Sequence, residues 1–106
     1  AADLLLNDGI GAFVFHASRV NHPDLAAVKA ALGKTAGALV TVEEHRLTCG
    51  MGSMLIHELV QGHVTLKARS LGIGDHFGQS AYSALELYKK HGLDAVSIAA
   101  AAKALV

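Results

Sequence analysis

Glu43, Glu44 and His45 stand in a row directly after the apolar stretch Ala38-Leu39-Val40-Thr41-Val42. A carboxylate beside an imidazole is the composition of a general acid–base pair. Neighbouring residues of a strand point to opposite faces, so only Glu43 and His45 can share a side. A little further on, Cys49 precedes Gly50-Met51-Gly52-Ser53, where the pattern turns from strand to helix. A helix start can activate a thiol as a nucleophile, but no base is placed beside Cys49 by spacing, and a small packed residue is the plainer reading. The glycines raise a second possibility, because free backbone N–H groups at a helix start favour anions. The run is neither Gly-x-Gly-x-x-Gly nor a Gly-Lys-Ser/Thr loop, so the glycines predict a tight turn and close backbone packing.

Seven histidines in 106 residues invite a metal reading. Spacing argues against it. His57-Glu58 and His63 are six apart, not the four that set two imidazoles on one helical face, and Gly62 falls between them. The simpler role for His57 and His63 is at a helix C-terminus, where a protonated ring favours the dipole. His16, His22 and His91 are isolated. Asp75-His76-Phe77-Gly78-Gln79-Ser80 forms a polar turn, and the aromatic ring of Phe77 within it suits either a contact surface or the domain's own core.

These residues hang on alternating strand and helix patterns. A short helix ends at Asn7 before Gly9, and Ala12-Phe13-Val14-Phe15 reads as a buried strand. Asn21 or Asp24 can cap a helix that carries Pro23 in its first turn, buries Leu25, Val28 and Leu32, and stops at Gly33. A second strand runs from Gly37 to Glu44, and a helix from Met51 to Gln61 puts Met51, Met54, Leu55 and Leu59 on one stripe. A third strand is expected over Val64 to Leu71. Helices over Ala81–Lys90, closed by Gly92, and Asp94–Leu105, with Asp94 as N-cap, complete the chain. Such alternation predicts an α/β sandwich with a mostly parallel sheet between helix layers.

Nine basic residues balance nine acidic ones. No basic cluster is available to neutralise a run of phosphates, which argues against nucleic acid and anionic membrane as partners. The single cysteine cannot form an internal disulfide and fits a reducing cytoplasm. No apolar run approaches the ~20 residues that span a bilayer.

Two segments of the chain, VTVEEHRLTCGMGS from Val40 and LGIGDHFGQSAYSALELYKKHGLD from Leu71, resemble the C-terminal domain of the transketolase family of thiamine diphosphate enzymes. In each, a strand ends in a polar turn that leads into an amphipathic helix, and their order and separation match the family over nearly the whole chain. The resemblance implies a three-layer α/β/α fold around a five-stranded mixed sheet. Only three strands are legible here, so a single domain over residues 1–106 without the family's N-terminal strands is expected. It further implies a C-terminal domain or subunit of an enzyme that moves a two-carbon ketol unit between sugar phosphates. Similar proteins include 1-deoxyxylulose-5-phosphate synthase and the β chain of 2-oxo acid dehydrogenases, and the Phe77-Gly78-x-Ser80 turn favours the synthase or transketolase over the latter.

By the same resemblance, thiamine diphosphate and a divalent metal bind on other parts of the assembly. No catalytic, cofactor-binding or metal-ligating residue is then assigned to this chain. The expected partners are the thiamine-binding chain or domains of the same enzyme and further copies of the assembly. Glu43, Glu44, His45, Asp75, His76 and Phe77 are the candidate interface residues, at one end of the sheet. A freestanding α/β interaction module is the alternative from another class.

Overall fold

The computed structural model describes residues 1–17, 23–74 and 84–106. Helices α1 (Ala2–Asn7) and α2 (Leu25–Lys34) precede strand β1 (Ala38–Arg46). Helix α3 (Met51–Gln61) then leads to strand β2 (Lys67–Ile73), and helices α4 (Ala84–Lys90) and α5 (Ala95–Lys103) follow. The two strands pair in parallel, Ala38 opposite Lys67 through Val42 opposite Leu71. The unit is therefore β1-α3-β2, the minimum that a parallel pair allows, because parallel neighbours need a crossover between them.

One face of the pair rests on α2 and α3. Val28 and Leu32 of α2 are one helical turn apart, as are Leu55 and Leu59 of α3, and these four buried side chains form the core cluster. Leu59 is completely enclosed. Leu39 from β1 and Val64 and Leu66 from the approach to β2 pack against them. Alternation along β1 puts Thr41 and Glu43 on the same face as Leu39 and turns Val40 and Val42 to the other. Helix α5 packs against both strands and against α1. Its Ala99 is buried, and Lys103 pairs with Asp8 just past α1. This is an α/β sandwich, as the alternating pattern predicts.

Four helices close in the same way, with a backbone N–H reaching back five residues. Ile10 donates to Leu5, Gly37 to Leu32, Val64 to Leu59 and Leu93 to Tyr88, at 2.7–3.0 Å. Each closure needs a left-handed residue just before the donor. Gly9 and Gly92 supply it twice, but Ala36 (φ 52°) and His63 (φ 59°) supply it in α2 and α3. Helix α2 consequently runs through Gly33 to Lys34 instead of stopping at the glycine. It begins as expected, with Ala27 N–H donating to Asp24 Oδ1 at 3.1 Å. At α3 the break falls at His63, and Val64 is spent closing the helix and filling the core. That is why β2 starts at Lys67 and not at Val64.

Two further expectations fail. Ala12–Phe15 is not a strand: the segment makes no ladder, and Phe13, Val14 and Phe15 are 51–78% exposed. A short apolar run does not distinguish a strand from an extended segment, since the ladder partner is set elsewhere in the chain. The ring of Phe13 instead lies 5.8 Å beneath Lys34 Nζ at the end of α2. The described sheet thus has two strands where three were expected. Met54, assigned to the buried stripe of α3, is 40% exposed.

His63→Gly is expected to stabilise the fold by about 0.5–1 kcal/mol. Relief of the left-handed conformation gains about 1–2 kcal/mol, less the roughly 0.5–1 kcal/mol entropy of glycine. Urea unfolding of the two proteins measures it. A destabilised variant would show that the imidazole makes a contribution larger than the strain it imposes.

Candidate functional site

The strand-to-helix passage from β1 to α3 is organised by one carboxylate. Glu43 Oε2 accepts the Met51 N–H at 2.7 Å and Oε1 accepts the Gly52 N–H at 3.1 Å. The first N–H groups of any helix lack intrahelical partners and carry the positive end of its dipole. Here Gly50 holds the N-cap position and offers no side chain, so Glu43 reaches across from the strand to satisfy them. The glycines make room for it. A Cβ on Gly50 would lie 2.6 Å from both Glu43 carboxylate oxygens and from the Arg46 carbonyl, and one on Gly52 would collide with Thr41. Ser53 adds a bond from its hydroxyl to the Leu47 carbonyl at 2.5 Å. Beneath this, the buried Thr41 hydroxyl donates to Ser70 across the strands at 3.1 Å. The close-packing reading of Gly50 and Gly52 is right, and the anion that the helix start favours is the chain's own.

Directly at Glu43, β1 bulges. Val42 pairs with Leu71 and the next pair is Arg46 with Ile73, so Glu43-Glu44-His45 stand opposite the single residue Gly72. Bulges of this kind re-aim side chains near the end of a strand. The price is close approach: a Cβ on Gly72 would lie 2.8 Å from the His45 carbonyl and from Leu47 Cδ2. Pairing resumes with Leu47 N–H donating to the Ile73 carbonyl at 3.0 Å.

The bulge also separates the acid–base candidates. Glu43 is committed to the helix start, and the exposed His45 ring lies within 3.0 Å of the Arg46 carbonyl through Nδ1. Glu44 is engaged by a residue the sequence does not point to. The Tyr88 hydroxyl of α4 donates to its carboxylate, and that bond, with the charge of Glu44, raises the phenol pKa above its usual 10.0. No sequence signal connects Tyr88 with Glu44, since they lie on elements 44 residues apart that only the fold joins. Because the strands are parallel, Glu44 and His45 stand at the same sheet end as Ile73. Asp75, His76 and Phe77 lie outside the described residues, as does His22.

Cys49 is exposed and left-handed (φ 60°). The helix start it adjoins is occupied by Glu43, so the thiol does not receive those N–H groups. With Pro23, Leu25, Ser53, Met54, His57 and Glu58 it lines an open cleft of about 460 Å³. His16, His45, His57 and His63 are exposed and His91 is half-buried. Among the described residues, no three of His, Cys, Asp and Glu are arranged to hold a metal ion, and no helix is long and apolar enough to cross a membrane.

The strand, glycine turn and helix described above fall within residues 1–98, which match the family model for the transketolase C-terminal domain. The chain belongs to that family. Among its relatives is 1-deoxy-D-xylulose-5-phosphate synthase of Thermomicrobium roseum, 37% identical over 93% of this chain. The synthase of Heliobacterium modesticaldum is 37% identical over 99% of the chain. A transketolase C-terminal section of Methanocaldococcus jannaschii is 32% identical over 93%. The chain spans about 15% of the Thermomicrobium synthase and 30% of the Methanocaldococcus section. The transketolase C-terminal domain therefore stands here as a small part of the length of these relatives. In this domain Glu43, one of the sequence's acid–base candidates, is spent on the start of α3 and is not paired with His45.

Glu43→Ala is expected to lower the stability of the domain by about 1–3 kcal/mol, the usual cost of stranding backbone donors that a charged group had satisfied. Denaturant unfolding reads it, and an unchanged midpoint would show that the clasp contributes nothing in solution. A separate test follows from Tyr88. Its raised pKa means that its bond to Glu44 is fully present below pH 10 and lost as pH rises through the folded-state value. Glu44→Gln should bring the Tyr88 midpoint down, measured as absorbance of the ionised phenol. An identical titration in both proteins would exclude Glu44 as its partner.

Proposed function

We propose that this chain is the C-terminal part of a transketolase-type enzyme that transfers a two-carbon ketol unit between sugar phosphates. In this reading it supplies contacts between domains and between protomers, while thiamine diphosphate and a divalent metal are held by other parts of the assembly in the cytoplasm. The observation that carries it is the family match over residues 1–98. What the site does chemically agrees with a role in contacts: Glu43 is spent on the helix start, which leaves Glu44 and His45 exposed at the strand ends. A surface of that kind offers a carboxylate, an imidazole and a phenol for hydrogen bonds to a neighbouring domain. Asp75, His76 and Phe77, which lie outside the described residues, are included in the same proposed surface.

The sheet supports the expectation of a partner. Among the described residues, two parallel strands leave an outer edge on each, with backbone groups open to pairing, and the exposed Phe13, Val14 and Phe15 add apolar surface. A neighbouring domain of the same enzyme, or a second copy, pairing along these edges would cover both. The alternative enzyme is 1-deoxy-D-xylulose-5-phosphate synthase, favoured by the two relatives of that name at 37% identity.

The isolated chain is expected to show no saturable binding of thiamine diphosphate with magnesium in calorimetric titration. Micromolar binding would overturn the division of labour proposed here. Sedimentation of the chain alone, and with the thiamine-binding domains of the same enzyme, tests the partner. Association is expected, and the double variant Glu44→Lys, His45→Glu should weaken it at least tenfold if the strand ends are the contact. A cooperatively folded monomer that ignores the thiamine-binding domains would refute the proposal.

A further inference from the structure

We draw no further inference here: the strongest candidate, the open cleft beside the first turns of α3 where Cys49, Met54 and His57 meet, comes down to a lone exposed cysteine, and nothing else in the structure points to a ligand for it.

Discussion

Two hydrogen bonds from the start of α3 to the Glu43 carboxylate tie together three features that would otherwise be independent. The helix gains the acceptor that Gly50 cannot provide. The strand bulges where the carboxylate stands, and the backbone comes close enough that Gly50, Gly52 and Gly72 have no room for a side chain. Each glycine is thus explained by the same contact. Gly52 faces Thr41, Gly50 faces Glu43 and Arg46, and Gly72 faces the bulge itself. Conformational freedom is not the issue at these three positions, since none of them has a positive φ. Space is.

The clasp also anchors the first turn of α3 where its apolar face meets the sheet. Met51, whose N–H is held by Glu43, packs against the cluster formed by Val28, Leu32, Leu55 and Leu59. Helix α3 therefore has a polar tether at its start and an enclosed side chain, Leu59, near its end. The closing bond from Val64 to Leu59 continues the same element directly into the core. Because the crossover is fixed at both ends, the register of β2 against β1 follows, and with it the parallel arrangement that puts both strand ends on one side. What remains exposed at this end of the sheet after the clasp is made is Glu44, held by Tyr88, and His45.

For a member of the transketolase C-terminal domain family, this arrangement shows how a motif with chemical-looking residues can be architectural. A helix start with glycines resembles an anion site, and it is one, but an internal carboxylate fills it. The adjacent cysteine does not receive the N–H groups of Met51 and Gly52, because Glu43 already accepts them. The chemistry of Glu43-Glu44-His45 is divided three ways by the bulge: one side chain to the helix, one to α4, one to solvent.

Local sequence determined much of this protein. The helix over Met51–Gln61, the capping role of Asp24, the left-handed closures at Gly9 and Gly92, and the strand–helix alternation all depend on residues within a few positions of one another. The family resemblance was legible for the same reason, since it is carried by two continuous segments. The tertiary structure alone decided the rest. Ala36 and His63 adopt left-handed conformations because the helix ends, the core and the next strand demand them, against the preference of each residue. Ala12–Phe15 has strand-forming residues, yet no ladder forms on it, because a strand requires a partner edge that its own sequence cannot specify. The bulge, the Glu43 clasp and the Glu44–Tyr88 bond each join positions separated by eight or more residues. Their existence depends on how separate segments come together, which local side-chain periodicity does not specify.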